Sequence, residues 1–168
     1  MTLAIEFNVE DEAWFDTAPW YREITLRIFE QTVFEVGLPP RDLEVSALLS
    51  TDDRIAALNG EFRAKPTPTN VLSWPAEDTN PADAPRTPAD GFLGDLAFAR
   101  ETIEKEAQDQ HLDAETHFAH LFSHGLLHLM GYGHQTDADA DVMEGIERRA
   151  LARLGIADPY APKPSKER

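Results

Sequence analysis

The segment from Phe118 to His134, FAHLFSHGLLHLMGYGH, limits what this chain can fold into more than any other. His124 and His128 stand four residues apart in an apolar, helix-forming run, so the spacing predicts both imidazoles on one helical face, roughly 5–6 Å apart at Cβ. Gly131 tolerates the φ > 0 conformation that ends helices, and the Tyr132-Gly133 turn then allows His134 to swing back toward the pair. Three neutral imidazoles with one open position make the arrangement of a catalytic zinc site. A lone histidine on an apolar helix is more often a hydrogen-bonded core or boundary residue. With 6 histidines in 168 residues, random placement produces this triple spacing about 0.007 times, and admitting other spacings raises that roughly tenfold. The ligand reading is therefore preferred.

The other histidines sort by position. His117 and His120 project within the same stripe at 100° per residue, but His117 lies about 10 Å further from the turn at 1.5 Å per residue. His120 is open to three roles: supporting the ligands, facing a substrate, or purely structural. His111 reads as a surface residue. The offsets of His124, His128, Gly131 and His134 reproduce those of the metzincin pattern HExxHxxGxxH. Gly125 stands where that pattern has its catalytic Glu, which moves peptide hydrolysis to second rank.

The rest of the chain alternates strand and helix. Leu3, Ile5, Phe7 and Val9 predict a half-buried strand. Thr17 and Pro19 open a helix carrying Tyr21, Ile24, Ile28, Phe29, Val33 and Val36, which Gly37 stops. Leu43 to Leu49 predicts a second strand, and Thr51 or Asp52 caps a short helix with Ile55, Leu58 and Phe62. After Arg63 a turn-rich stretch leads to the strand Val71 to Trp74, ended by Pro75. Residues 75–90 are rich in Pro, Ala, Asp and Thr and read as a surface loop with little to bury. Leu93 to Phe98 follows as an antiparallel or edge strand. A polar helix spans Glu101 to Gln110, Asp113 begins the histidine helix, and Thr136 or Asp137 caps a last helix ended by Gly155. One catalytic domain over residues 1–158 and a disordered basic tail over 159–168 are expected.

The absence of cysteine excludes thiolate zinc sites and iron–sulfur clusters and fits a reducing cytoplasm. With no basic-then-apolar leader and no apolar run of spanning length, a cytoplasmic protein without a membrane partner is expected. A net charge of −16 argues against a non-specific nucleic-acid binder. A nucleic-acid substrate would require a local positive field. Arg63 is the candidate guanidinium for clamping phosphate oxygens, set against a solvated arginine that ends a helix favourably.

HGLLHLMGYGH resembles the HGxLHLxGYDH signature of the YbeY family of endoribonucleases and rRNA maturation factors. FRAKPTPTNVLSWP, from Phe62 to Pro75, is similar to that family's FRxxDxxTDVLSFP segment, and LGDL, from Leu93 to Leu96, to its LGDI. The resemblance implies an α+β fold in which a small mixed β-sheet is packed with helices around a metzincin-like zinc helix and turn. It implies one Zn2+ on His124, His128 and His134, a catalytic role for Arg63, and single-stranded RNA as substrate, notably the 3′ end of the 16S rRNA precursor. The small ribosomal subunit or its assembly factors would be partners, and DNA would not. Two positions depart from the pattern: Gly133 replaces an Asp before the third histidine, and Pro66 an Asp three residues after the arginine. Asp95, Glu77 and a metal-activated hydroxide remain open as general base. A non-catalytic, zinc-stabilised ribosome-assembly factor is the alternative reading, and a zinc metallopeptidase the weaker one.

Overall fold

The computed structural model describes residues 2–78 and 80–161. Its elements are β1 (Leu3–Val9), α1 (Ala13–Thr17), α2 (Tyr21–Val36), β2 (Leu43–Ser50), α3 (Asp52–Arg63), β3 (Val71–Pro75), β4 (Phe92–Ala99), α4 (Arg100–Asp109), α5 (Ala114–Leu129) and α6 (Asp137–Arg153). The strands form one mixed sheet in the order β1-β2-β4-β3. β1 and β2 are parallel, as are β2 and β4, while β3 runs antiparallel to β4. This is the α+β architecture expected, with two differences in detail.

β4 is an interior strand, paired on both sides, and β3 takes the edge. The antiparallel expectation holds for its pairing with β3, and the edge expectation does not. Hydrophobicity explains the order. β4 carries Leu93, Leu96, Ala97, Phe98 and Ala99 buried at 1% exposure or less, whereas β3 is five residues long and ends in Pro75, which has no N–H to extend a ladder. The second difference is α1, a short helix that the sequence pattern did not reveal. Its Trp14 is buried and donates from Nε1 to the Ser50 carbonyl, 3.0 Å away. α2 accordingly begins at Tyr21, after Pro19, rather than at Thr17.

The main core lies between one sheet face and α2, α5 and α6. Phe98 of β4 meets Phe118 and Phe122 of α5 at ring-centroid distances of 4.8 and 6.0 Å, and such pairs contribute about 0.5–1.5 kcal/mol each beyond their burial. A buried hydrogen bond of 2.8 Å joins Thr32 of α2 to Ser123 of α5. α6 is fastened to α2 by Glu35, which accepts from Arg149 at 2.9 Å and Arg153 at 2.6 Å. On the opposite sheet face α3 covers Leu72, Ala97 and Ala99 with Ile55 and Leu58. Strand alternation brings the two sets to opposite sides, and a register shift between Glu44 and Val45 lets Leu93 join Leu96 and Phe98 on the main face.

The described residues between 76 and 91 pack more closely than their composition suggests. Arg41 donates to Thr87 Oγ1 and to the carbonyls of Pro88 and Ala89 at 2.9–3.0 Å. The Arg86 N–H reaches the Met130 carbonyl at the end of α5, at 2.8 Å. Of the expected tail, residues 162–168 lie outside the described residues, while Tyr160 is described and packs against the end of a cleft discussed below. Among the described residues no helix is long and apolar enough to cross a membrane.

Gly94, within the LGDL segment, has φ +139, and a Cβ there would stand 2.3 Å from the Trp74 carbonyl oxygen. Gly37 has φ +80 with nothing within 4 Å of where its Cβ would stand. Gly94→Ala should therefore cost about 2–4 kcal/mol, combining backbone strain with overpacking, and Gly37→Ala only about 1–2 kcal/mol. Urea denaturation of the two variants checks the ranking; equal losses would contradict it.

Candidate metal centre

α5 is amphipathic in an unusual sense. Its sheet-facing side is fully apolar, and His120, His124 and His128 form a half-buried stripe beside it. The helix ends in a Schellman motif: the Gly131 N–H bonds the His128 carbonyl and the Tyr132 N–H the Leu127 carbonyl, both at 3.0 Å. Gly131 sits at φ 97, as this motif requires. The turn returns the chain so that His134 stacks beside His124 at 5.8 Å and stands edge-on to His128 at 5.2 Å. One ring nitrogen from each of His124, His128 and His134 lies within 4.8 Å of the others. The three residues can hold a metal ion.

Hydrogen bonding indicates how they would do so. His124 Nδ1 is 2.7 Å from Glu147 Oε2, and His128 Nδ1 is 3.1 Å from the Tyr132 carbonyl oxygen. A carboxylate and a carbonyl only accept, so both Nδ1 atoms carry the proton and both Nε2 atoms present lone pairs. Those two Nε2 atoms face each other at 3.0 Å. Two lone pairs so placed suit a cation between or beside them. Ligands held at about 2.0–2.1 Å by a tetrahedral zinc stand about 3.3 Å apart, close to the spacing seen here. Burial chiefly, with the neighbouring His124 and His134, lowers the His128 pKa to about 4, so its imidazole is neutral at physiological pH.

Glu147 is the residue that sequence reasoning missed. It lies on α6 with no exposed surface and accepts from His124 at Oε2 and from the Tyr160 hydroxyl at Oε1. His120 Nε2 is a further 3.5 Å neighbour. Burial raises this carboxyl, but the imidazoles of His120 and His124 outweigh it and hold the pKa at about 2. The clue in the sequence was its register. Met143, Ile146, Ala150 and Leu151 form the buried stripe of α6, and Glu147 occupies a position inside that stripe, where an unpaired carboxylate would be too costly to keep.

The open side of the histidines forms a cleft of about 470 Å³, walled by α5 on one side and by the end of α3 and strand β3 on the other. Arg63, the last residue of α3, lines it together with Lys65, Asn70 and Ser73. Arg63 Nη2 donates to the Ser73 carbonyl at 2.8 Å, which lays the guanidinium along the edge of β3. The loop beyond it is anchored by Asn59, whose Nδ2 donates to the Thr67 carbonyl at 2.9 Å. Pro66 packs on Gly60, where a Cβ would stand 3.2 Å from the proline's own.

The remaining sequence candidates separate clearly. His120 lines the cleft, with Nε2 3.0 Å from the Tyr160 hydroxyl. His117 is buried and bonded to Glu106 of α4 at 2.8 Å, away from the triad, and His111 is exposed. Asp95 pairs with Trp74 and shares the α3 side of the sheet with Ala97, on the face opposite the histidines. Glu77 lies 3.4 Å from Arg86. Neither carboxylate lines the cleft. Gly133 faces Pro81, 3.2 Å from where its Cβ would be, so the loop before β4 covers the place where an Asp side chain would begin. Gly125 is closed as well, since a Cβ there would meet Leu96 Cδ2 at 2.8 Å.

Groups that support ligands from behind typically contribute 10–100-fold to metal affinity. Glu147→Gln keeps the side-chain volume and removes the charge. It should weaken Zn2+ binding by about that factor, as measured by competition with a chromogenic chelator. Unchanged affinity would show that the carboxylate does not support His124.

The sequence and the fold have counterparts. A sequence profile described as Endoribonuclease YbeY matches residues 7–155. A protein of Dinoroseobacter shibae named endoribonuclease YbeY is 47% identical over 164 residues, covering 93% of this chain and 90% of its own. A Ruegeria pomeroyi protein of the same name is 44% identical, with 94% and 98% covered, and one from a Jannaschia species is 51% identical, with 77% and 83% covered. The solution structure of a Thermotoga maritima protein superposes with a TM-score of 0.54 over 96% of this chain and all of that one, at 19% identity, and so shares its fold. With a profile match over residues 7–155 and relatives 44–51% identical over most of its length, the chain belongs to the endoribonuclease YbeY family.

Proposed function

We propose that this protein is a zinc-dependent, single-strand-specific endoribonuclease that matures the 3′ end of the 16S rRNA precursor in the cytoplasm, acting with the small ribosomal subunit or its assembly factors. The observation that carries this reading is the cleft itself, where two half-buried Nε2 lone pairs 3.0 Å apart share a wall-to-wall space with Arg63 and Lys65. The names of the relatives support ribonuclease activity.

His124, His128 and His134 would hold the metal. Bound there, zinc supplies Lewis acidity and makes water a stronger nucleophile at neutral pH. The protein's own groups do the rest. Arg63, steadied along β3 by Ser73, directs its remaining N–H groups at phosphate oxygens, whose charge grows during cleavage. Lys65 adds a second positive charge in the cleft. Together they form the local field that a chain of net charge −16 needs in order to attract RNA. Glu147 keeps the His124 ring in the tautomer that offers Nε2, and the Tyr132 carbonyl does the same for His128. With Asp95 on the far face and Glu77 outside the cleft, no carboxylate among the described residues lines the cleft as general base.

Net acidity favours one alternative, an assembly factor that binds precursor rRNA while zinc only stabilises the fold. A matched assay separates the two. Wild type, His124→Ala and Arg63→Ala are given precursor small-subunit rRNA, and bound metal is quantified in each sample. His124→Ala should lose both metal and cleavage. Arg63→Ala should keep its metal and lose about 10²–10³-fold in cleavage rate. Cleavage by a metal-free His124→Ala preparation would overturn the mechanism. Full complementation by a cleavage-dead Arg63 variant would establish the assembly role instead.

A further inference from the structure

Helix α6 ends at Arg153, and the chain reverses through Gly155, at φ 76, with the Ile156 N–H bonding back to the Leu151 carbonyl at 3.0 Å. The returning segment is fastened to the helix it has just left. Asp158 pairs with Arg148 at 2.9 Å and accepts from the Tyr160 N–H at 2.8 Å. Pro159, between them, restricts the backbone further. This turn directs Tyr160 to the end of the cleft, where its ring stands edge-on to His120 at a centroid distance of 5.3 Å and the Arg148 guanidinium lies 5.8 Å from its centre. The hydroxyl donates to Glu147 Oε1. Oε2 of the same carboxylate accepts from His124 Nδ1. Burial, and then the charge of Glu147, push the phenol well above its ordinary range, so the hydroxyl remains a donor.

We infer that Tyr160 is a positioning residue for the metal centre: it occupies Glu147 Oε1 and so holds the carboxylate with Oε2 turned to His124 Nδ1. A glutamate has three side-chain torsions, and one hydrogen bond leaves the carboxylate free to rotate about it. Two anchors from opposite elements fix its plane, and with it the direction of His124 Nε2. Without the hydroxyl, Oε1 would keep only His120, at 3.5 Å, and a buried carboxylate oxygen short of donors is costly. Tyr160 lies beyond residues 7–155 matched by the family profile. Through its contacts with Glu147 and His120 the stretch after α6 joins the site.

The inference rests on the reading that the histidine triad holds a metal, and the test keeps the two apart. Metal-free wild type and Tyr160→Phe are titrated with Zn2+ against a chromogenic chelator, with no RNA present, and the melting temperature of each is measured with and without the metal. Tyr160→Phe keeps the ring and removes only the hydroxyl. It should bind Zn2+ about tenfold more weakly, the lower end of the range for groups that support ligands, and its melting temperature should fall below wild type without metal and fall further below it with the metal bound. Long-range 1H–15N spectra of the imidazoles should show His124 protonated at Nδ1 in wild type and a mixture of tautomers in the variant. Equal or tighter Zn2+ binding by Tyr160→Phe would overturn the inference. So would a fall in melting temperature of the same size with and without metal, which marks a role in packing alone. Failure of wild type to bind Zn2+ would instead remove the metal reading itself.

Discussion

A buried carboxylate needs partners, and in this protein the partners of one carboxylate organise the site. Glu147 has no exposed surface, and an ion of its size loses several kcal/mol of hydration on burial. Hydrogen bonds from His124 and Tyr160 offset that loss. They also tie three separate pieces of chain together: the histidine helix, the last helix and the segment that follows it. The orientation of His124 is a consequence of where α6 docks, and α6 docks where its apolar stripe and the Glu35 ion pairs with Arg149 and Arg153 hold it against α2.

The second ligand is oriented by a different device. The turn that ends α5 uses Gly131 to close a Schellman motif, which leaves the Tyr132 carbonyl directed at His128 Nδ1. One backbone turn thus terminates a helix, brings His134 back and selects the His128 tautomer. The loop from Ala76 to Gly91 packs against this turn through Arg86 and Pro81, which gives the Gly133 departure from the family pattern a steric reason: Pro81 occupies the space a longer side chain would enter. Gly125 departs from the protease pattern for a related reason, because Leu96 of the sheet stands against it.

The opposite wall of the cleft depends on the sheet. β3 is the edge strand, so its outer side is open to Arg63 from α3, and the Ser73 carbonyl holds the guanidinium beside the histidines. Strand alternation then decides which acidic residues share that space. Asp95 is two residues from Ala97 and faces α3 with it. It sits in a motif that resembles the family's, yet it is separated from the histidines by the thickness of the sheet.

The sequence by itself determined the elements that repeat with a period and the ligands that share one helix. Alternation at Leu3 to Val9 and Leu43 to Leu49, helical spacing in α2 and α6, and the interval of four between His124 and His128 are local properties, carried by backbone geometry alone. The short helix around Trp14 has too few residues to show a period, and the interior place of β4 depends on which strands pair with it, which no single strand encodes. Glu147 reaches His124 across 23 residues of chain and Tyr160 reaches His120 across 40, and their convergence is set by how α6 packs on α2 and α5. Only the tertiary structure decided those contacts, because a hydrogen bond between distant segments is specified by the docking of whole elements and leaves no spacing in the sequence to read.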